Sequence, residues 1–133
     1  MARVTIRIDF GAGAALGPGK ARLLELIGEL GSIRRAAAAM TMSYRQAWLL
    51  VKALEETFGG PVVTTARGGP RGGGAALTLL GRKLIARYRA VERKAADAVE
   101  ADVGALAKLA APPRAARHRP LRPRKGRAGK TRG

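Results

Sequence analysis

Cysteine is absent from the 133 residues, and His118 is the only histidine. These absences exclude disulfide frameworks, thiol nucleophiles and the zinc sites that proteins build from cysteine and histidine. The chain also lacks an apolar run of the 18 or more residues that would span a bilayer, and it does not open like a signal peptide. We therefore expect a cytoplasmic protein with no metal site, no cofactor and no membrane partner.

Acidic residues are scarce: nine carboxylates stand against 26 Lys or Arg, and the net charge is +17. A charge of this size points to a polyanionic partner, of which nucleic acid is the first candidate and an anionic membrane a weaker one. The few carboxylates are predicted to lie mostly on helix surfaces, and no nucleophile has a plausible partner base. The sequence thus offers no catalytic residues, and we do not expect an enzyme.

The basic residues divide the chain into two parts. Residues 112–133 hold nine Arg or Lys, no acid and one sizeable apolar residue, Leu121, which is too little to offset the entropy of ordering. We predict a disordered basic tail there, which adds sequence-independent affinity for DNA by neutralising phosphates. Residues 1–111 are predicted to form one domain.

The first half of that domain reads as a strand and two helices. Apolar residues alternate from Val4 to Phe10, which predicts a strand, and the glycine-bounded turn after it allows a short return strand. Helical spacing runs from Pro18 to Gly31, a residue suited to a helix C-cap. Ser32 then caps a second, short helix.

The second half is predicted to form a third helix, a hairpin and a last helix. Ser43-Tyr44-Arg45-Gln46 has the S-x-x-Q form of a capping box and starts the third helix, which is predicted to end at Gly59-Gly60-Pro61. The β-branched run 62–65 and residues 75–77 predict a hairpin around a glycine-rich loop, which lacks the Lys-Ser/Thr of a P-loop. Thr78 is predicted to cap a long helix that reaches about Lys108. The fold class is mainly α with small β: a winged helix-turn-helix with an N-terminal strand or hairpin and a long C-terminal helix.

In a winged helix-turn-helix the second helix of the pair enters the major groove. A projection at 100° per residue directs Arg45, Leu49 and Lys52 away from the core. Arg45 suits guanine and Gln46 suits adenine, whereas Lys52 suits phosphate. The residues predicted to contact DNA are Ser32, Arg34, Arg35, Ser43, Tyr44, Arg45, Gln46 and Lys52, with Arg67 and Arg71 in the wing.

For several of these residues a purely structural role, as packing or solvated surface, is an open alternative to a DNA contact. Trp48 lies between the two faces of its helix, and packing is favoured over a DNA contact. Tyr44 is equally suited to either role. Arg34 and Arg35 are either solvated surface or phosphate contacts, of which the second is favoured because this helix crosses the DNA backbone in the motif.

The last helix is also a candidate for self-association. Leu84, Tyr88, Val91 and Ala95 follow near-heptad spacing, which favours a homodimer, although the same stripe would also pack on its own domain. The charged residue Asp102 interrupts this apolar stripe. In a dimer, the two reading helices would meet successive major grooves about 34 Å apart.

Three segments between Leu16 and Glu92 resemble the N-terminal domain of the ModE-type, molybdate-responsive transcription regulators, of the ModE/LysR-type winged helix-turn-helix class. They are LGPGKARLLELIGELGSIRRAAAAM, MSYRQAWLLVKALEETFGGPVV and TTARGGPRGGGAALTLLGRKLIARY. The resemblance implies a dimeric, DNA-binding regulator with Ser43, Tyr44 and Arg45 at the reading helix and Arg67, Gly69 and Arg71 in the wing. Members of the family sense molybdate through C-terminal repeats, which the residues after 111 do not resemble. We therefore expect no molybdate binding by this chain.

Two other functions fit the same features. An architectural, nucleoid-associated protein would coat DNA with a specificity ratio below about ten. A protein-interaction adaptor would keep its DNA affinity unchanged when Arg45 and Lys52 are replaced by alanine.

Overall fold

Helices and two small antiparallel hairpins make up the part of the chain that the computed structural model describes, residues 2–66 and 74–111. The wing tip and the basic tail predicted from the sequence lie outside these residues. Residues 3–99 form one compact unit, and the helix that begins at Glu100 belongs to a separate unit. In chain order the elements are β1 (Ile8–Gly11), β2 (Ala14–Leu16), α1 (Pro18–Leu30), α2 (Ile33–Ala39), α3 (Tyr44–Phe58), β3 (Val63–Ala66), β4 (Gly74–Leu77), α4 (Leu79–Ala98) and α5 (Glu100–Leu109).

The N-terminal hairpin is tighter than the sequence predicts. Strands β1 and β2 pair antiparallel around a turn in which Gly11, Ala12 and Gly13 all have positive φ, at 92°, 49° and 82°. Glycine adopts this left-handed backbone without the steric cost that other residues incur, which explains the two glycines of the turn. The predicted return strand is present. The predicted strand from Val4 is shorter, because the residues before Ile8 have no strand partner.

Local end signals set the helix boundaries as predicted. Gly31 and Gly59 end α1 and α3 in the left-handed conformation, at φ 69° and 73°. Three hydroxyl oxygens each accept a backbone N–H at 3.0 Å: Ser32 from Arg35, Ser43 from Gln46 and Thr78 from Gly81. These bonds satisfy donors that the first turn of a helix leaves without a partner, so α2, α3 and α4 begin where the sequence places their caps.

The predicted long last helix is interrupted. Val99 has φ −111° and ψ 12°, outside the helical region, so that α4 ends at Ala98 and α5 begins at Glu100. A β-branched residue loses side-chain freedom in a helix, and α5 has no buried residue whose packing would stabilise continuous helix around Val99. Throughout the described ranges, every helix is too short or too polar to span a bilayer.

The core of the compact unit lies between the helices and the base of the second hairpin. Tyr88 is its largest fully buried side chain, at 1% exposure, and its hydroxyl donates to the Ile6 carbonyl oxygen at 2.6 Å. This bond attaches the N-terminal segment to α4. The buried apolar residues of the cluster are Leu16, Ala21, Leu23, Leu24, Leu26, Ile27, Ile33, Ala36, Ala37, Ala47, Val51, Leu54, Val62, Val63, Leu84 and Tyr88.

The second hairpin, β3 with β4, is held at its base by backbone contacts. Ala75 N donates to Gly31 O at 2.9 Å, which ties β4 to the end of α1, and Thr78 N donates to Val62 O at 3.0 Å. At Gly81 the first turn of α4 approaches the chain so closely that a Cβ would overlap the Val62 carbonyl oxygen. The orientation of the hairpin therefore depends on a position without a side chain.

Candidate nucleic-acid interface

Helix α3 has one buried side and one exposed side. Ala47, Val51 and Leu54 are fully buried, whereas Arg45 and Lys52 are exposed together with Leu49, which keeps 55% of its surface accessible. The exposed side is the one that helical projection predicts. Because 3.6 residues make one turn, positions 45, 49 and 52 follow one another along the same face. The helix therefore presents one cation in its first turn, one in its third, and an apolar side chain between them.

The turn before α3 sets the angle between the helix pair. Thr41 takes a left-handed conformation with φ 57°, and the amides of Met40 and Met42 both return to carbonyl oxygens of α2. Ser43 then opens α3. Its hydroxyl accepts the Gln46 amide but retains its own O–H, which remains a donor for a phosphate oxygen.

The first residues of α2 and α3 meet at the surface. The Arg34 guanidinium lies 4.5 Å from the centroid of the Tyr44 ring, a cation–π contact, and Tyr44 is 40% exposed. This contact holds the aromatic ring of Tyr44 against the start of α2. Arg35 is exposed one residue further along the same helix.

An open cleft of about 160 Å³ separates these helix starts from the base of the wing. It lies beside the ends of β3 and β4, from which the wing loop extends. The predicted wing residues Arg67, Gly69 and Arg71 lie outside the described residues. The cleft is lined by Ser32, Ile33, Arg34, Tyr44, Thr65, Ala66, Gly74 and Ala75.

Lys52 differs from Arg45 because it has partners within its own helix. Its ammonium nitrogen lies 3.4 Å from Glu55 Oε1 and 4.8 Å from the centroid of the Trp48 ring. Trp48 itself is half-buried against the core, which agrees with the packing role favoured from the sequence. Among the described residues Arg45 forms no ion pair.

Sequence reasoning missed Glu55, a positioning residue at the end of α3. Its side chain is 19% exposed, and Oε2 accepts the Val62 amide at 3.0 Å while Oε1 faces Lys52. The carboxylate thereby joins α3 to Val62, the residue before β3. An available signal was its place in the last turns, where a negative charge opposes the helix dipole unless another group compensates it.

A second group of charges holds α4 against α1, away from the exposed face of α3. Arg89 donates to both oxygens of Glu25 at 2.9 Å, through Nε and Nη2, and its Nη1 donates to Glu92 at 2.6 Å. Hydrogen bonds from Arg89 hold the pKa of Glu25 below its usual 4.5, and the same bonds raise the pKa of Arg89. Paired bonds of this kind fix both distance and orientation between the two helices.

Two of the four predicted dimerisation residues require correction. Leu84 and Tyr88 are buried in the core of their own domain, because α4 packs on α1 over this stretch and covers both side chains. They are therefore not exposed to another protomer. Val91, at 40% exposure, and the half-buried Ala95 lie beyond this packed part of the helix.

Comparison with known proteins gives one family match and several relatives. The model of the bacterial regulatory helix-turn-helix protein, lysR family, matches residues 19–87. The chain is 49% identical over 80 residues to the molybdenum-pterin-binding protein MopB of Rhodobacter capsulatus, which covers 60% of this chain and 30% of that protein. It is 40% identical over 92 residues to the molybdenum transport protein ModE of Azotobacter vinelandii, which covers 69% of this chain and 33% of that protein. The chain thus spans about a third of the length of these relatives.

A solved structure shares the fold. The crystal structure of a CbnR_DBD-DNA complex aligns with a TM-score of 0.52 and 19% identity, covering 66% of this chain and 95% of that chain. The fold class predicted from the sequence, a winged helix-turn-helix, is confirmed.

Proposed function

Because the chain belongs to the bacterial regulatory helix-turn-helix family of the lysR type, we propose that it regulates transcription by placing α3 in the major groove of double-stranded DNA. The sequence resemblance to ModE-type regulators, which the relatives bear out, favours the same function. The observation that carries the proposal is the division of α3 into a buried apolar side and an exposed side that begins with Arg45.

The dimensions of α3 suit that groove. Its 15 residues extend over about 22 Å, and a helix with side chains is about 10–12 Å across, close to the width of the major groove. Arg45 and Gln46 lie in its first turn, where recognition helices contact base edges. Arg45 has the paired donors that match guanine, and Gln46 has the amide that matches adenine.

Phosphate contacts are proposed on either side of the reading helix. Ser32, Arg34 and Arg35 of α2 and Ser43 and Tyr44 at the start of α3 surround the cleft or lie beside it, within reach of one strand of the duplex. Lys52 would contact a phosphate after leaving Glu55. Arg67, Gly69 and Arg71 would extend from β3 and β4 to the backbone or the adjacent groove.

We also propose a homodimer that acts in the cytoplasm, where its DNA is. Val91 and Ala95 supply the apolar surface of α4 beyond the packed stretch, and a symmetric pair of reading helices would read half-sites about 34 Å apart. The segment 112–133 would strengthen binding to all DNA alike, since its nine cations release counterions without reading bases.

Selection of bound sites from a random pool of duplex DNA tests the proposal. We expect a position-specific motif, unchanged when molybdate is present. The selected site should bind at least about 10³-fold more tightly than a shuffled duplex of the same composition at physiological salt. A ratio below about ten would favour the architectural alternative.

A further inference from the structure

Helix α3 has a strongly exposed leucine on the side that faces away from the core. Leu49 is 55% exposed on α3, one turn after Arg45 and one turn before Lys52. The other leucines of this helix are Leu50, which is half-buried against the core, and Leu54, which is fully buried. A leucine this exposed contributes little burial energy to the fold. A partner that covers it between the two cations would bury that apolar surface.

The cations restrict the chemistry of that partner. A purely apolar protein surface over Leu49 would also cover Arg45, whose charge would lose water without gaining a hydrogen bond. The major groove of DNA offers acceptors and phosphates for the cations, and it has one apolar group on its base edges, the C5-methyl of thymine. Duplex DNA therefore satisfies both kinds of side chain on this face.

We propose that Leu49 reads the C5-methyl group of a thymine in the major groove, close to the base that Arg45 contacts. The inference rests on the proposed function and adds a specificity-determining residue to it. Residues 45 and 49 are about 6 Å apart along the helix axis, so the thymine lies near the base that Arg45 contacts.

Lys52 leaves this position to the leucine. Its ammonium nitrogen lies 3.4 Å from Glu55 Oε1 and 4.8 Å from the centroid of the Trp48 ring, so it already has partners within α3. Leu49 keeps 55% of its surface accessible beside these contacts. The second turn of the reading helix presents methyl groups, which distinguish thymine from cytosine without a hydrogen bond.

The test removes the methyl group and nothing else. Each thymine of the selected site is replaced, one at a time, by deoxyuridine, and the affinity of the full chain for each duplex is measured by fluorescence anisotropy. We expect a loss of about four-fold at one position in each half-site, the effect of burying one methyl-sized group. Leu49→Ala should bind the thymine site more weakly and lose its sensitivity to deoxyuridine at that position.

Leu79→Ala is the matched control, since Leu79 is also a strongly exposed leucine in a helix but lies at the start of α4. It should keep the deoxyuridine pattern of the original protein. An unchanged pattern in Leu49→Ala would overturn the inference, because another group would then contact the methyl. Selective binding that is insensitive to deoxyuridine everywhere would overturn it too, while leaving the proposed function intact. If no selective site emerges, the proposed function fails and the inference with it.

Discussion

Arg89 and Arg45 show how the same side chain serves two regions of this molecule differently. Arg89, in the seam between α1 and α4, makes three hydrogen bonds to carboxylates and is 32% exposed. Arg45, on the outer side of α3, is exposed and has no ion pair among the described residues. A cation that is already matched by carboxylates stabilises the fold, whereas one without such partners remains available to a polyanion.

The largest expected effect concerns the contact between α4 and the base of the second hairpin rather than the exposed face of α3. Gly81→Ala places a methyl group against the Val62 carbonyl oxygen, and we expect it to lower the free energy of unfolding by about 3 kcal/mol. Urea denaturation followed by circular dichroism measures this. Gly19→Ala is the control, because a Cβ there meets nothing within 4 Å. If both variants unfolded at the same urea concentration, the close packing at Gly81 would not matter for stability.

The next largest effect belongs to the reading face. Arg45→Ala should weaken binding to the selected site by about 2 kcal/mol, roughly 30-fold, because it removes paired hydrogen bonds to a base, and it should leave thermal stability unchanged. Arg87→Ala removes an exposed arginine of α4 and serves as the control in the same anisotropy titration. An affinity that Arg45→Ala leaves intact would favour the protein-interaction adaptor.

Replacement of Arg89, the arginine paired with carboxylates, should lower stability and leave DNA affinity unchanged, the reverse of the result expected for Arg45. Arg89→Ala is expected to cost about 1.5 kcal/mol of unfolding free energy, since charge-assisted hydrogen bonds are lost at a site that solvent partly screens. The intrinsic affinity of the folded fraction for DNA should not change. Arg93→Ala, on the exposed side of the same helix, should cost less than about 0.5 kcal/mol. Equal losses of unfolding free energy in the two variants would contradict the stabilising role assigned to the bonds between Arg89 and its carboxylate partners.

The depressed pKa of Glu25 predicts a smaller, pH-dependent effect. Its carboxylate is stabilised in the folded state by Arg89, so its contribution is complete above the unfolded pKa of about 4.5 and is lost as pH falls through the lower folded value. Urea denaturation between pH 6 and pH 2 should therefore show a shallower decline for Glu25→Gln than for the original chain. Parallel declines would mean that other carboxylates govern the acid range.

The smallest expected effect concerns Lys52, which is exposed like Arg45 but has a carboxylate partner like Arg89. Glu55→Gln keeps an oxygen for the Val62 amide but frees the lysine, and we expect binding to random DNA to strengthen about three-fold at low salt. Glu56→Gln makes the same change of charge at an exposed neighbour of Glu55 that has no ion pair with Lys52 among the described residues. An equal gain in the control would show a general charge effect instead of the release of Lys52.

Much of the candidate interface was predictable because its signals are local. The caps at Ser32, Ser43 and Thr78 and the glycines after α1 and α3 act within one turn of chain, so a short stretch of sequence contains both partners. The outward direction of Arg45, Leu49 and Lys52 follows from helical periodicity alone. The wing strands were also predicted, from the β-branched run 62–65 before a glycine-rich loop and the short apolar run 75–77 after it.

The parts that were missed depend on residues distant in sequence. Glu55 becomes a positioning residue only because the chain returns to place Val62 beside it, and Tyr88 is buried because the N-terminal segment and α1 cover it. The near-heptad spacing of α4 could not reveal which apolar residues would find a partner within their own domain. The sequence also predicted one helix to about Lys108, whereas α4 ends at Ala98 and α5 begins at Glu100.

The sequence by itself determined the starts of α2, α3 and α4, the positive charge and the side of α3 that faces away from the core, since each follows from neighbouring residues or from composition. Only the tertiary structure decided which cations and apolar side chains are already in use. Arg89 meets Glu25 across 64 positions of chain, and that pairing exists only when α1 and α4 pack together. Contacts between residues so distant in sequence depend on the whole core. A local pattern therefore cannot distinguish an arginine that has carboxylate partners from one that has none.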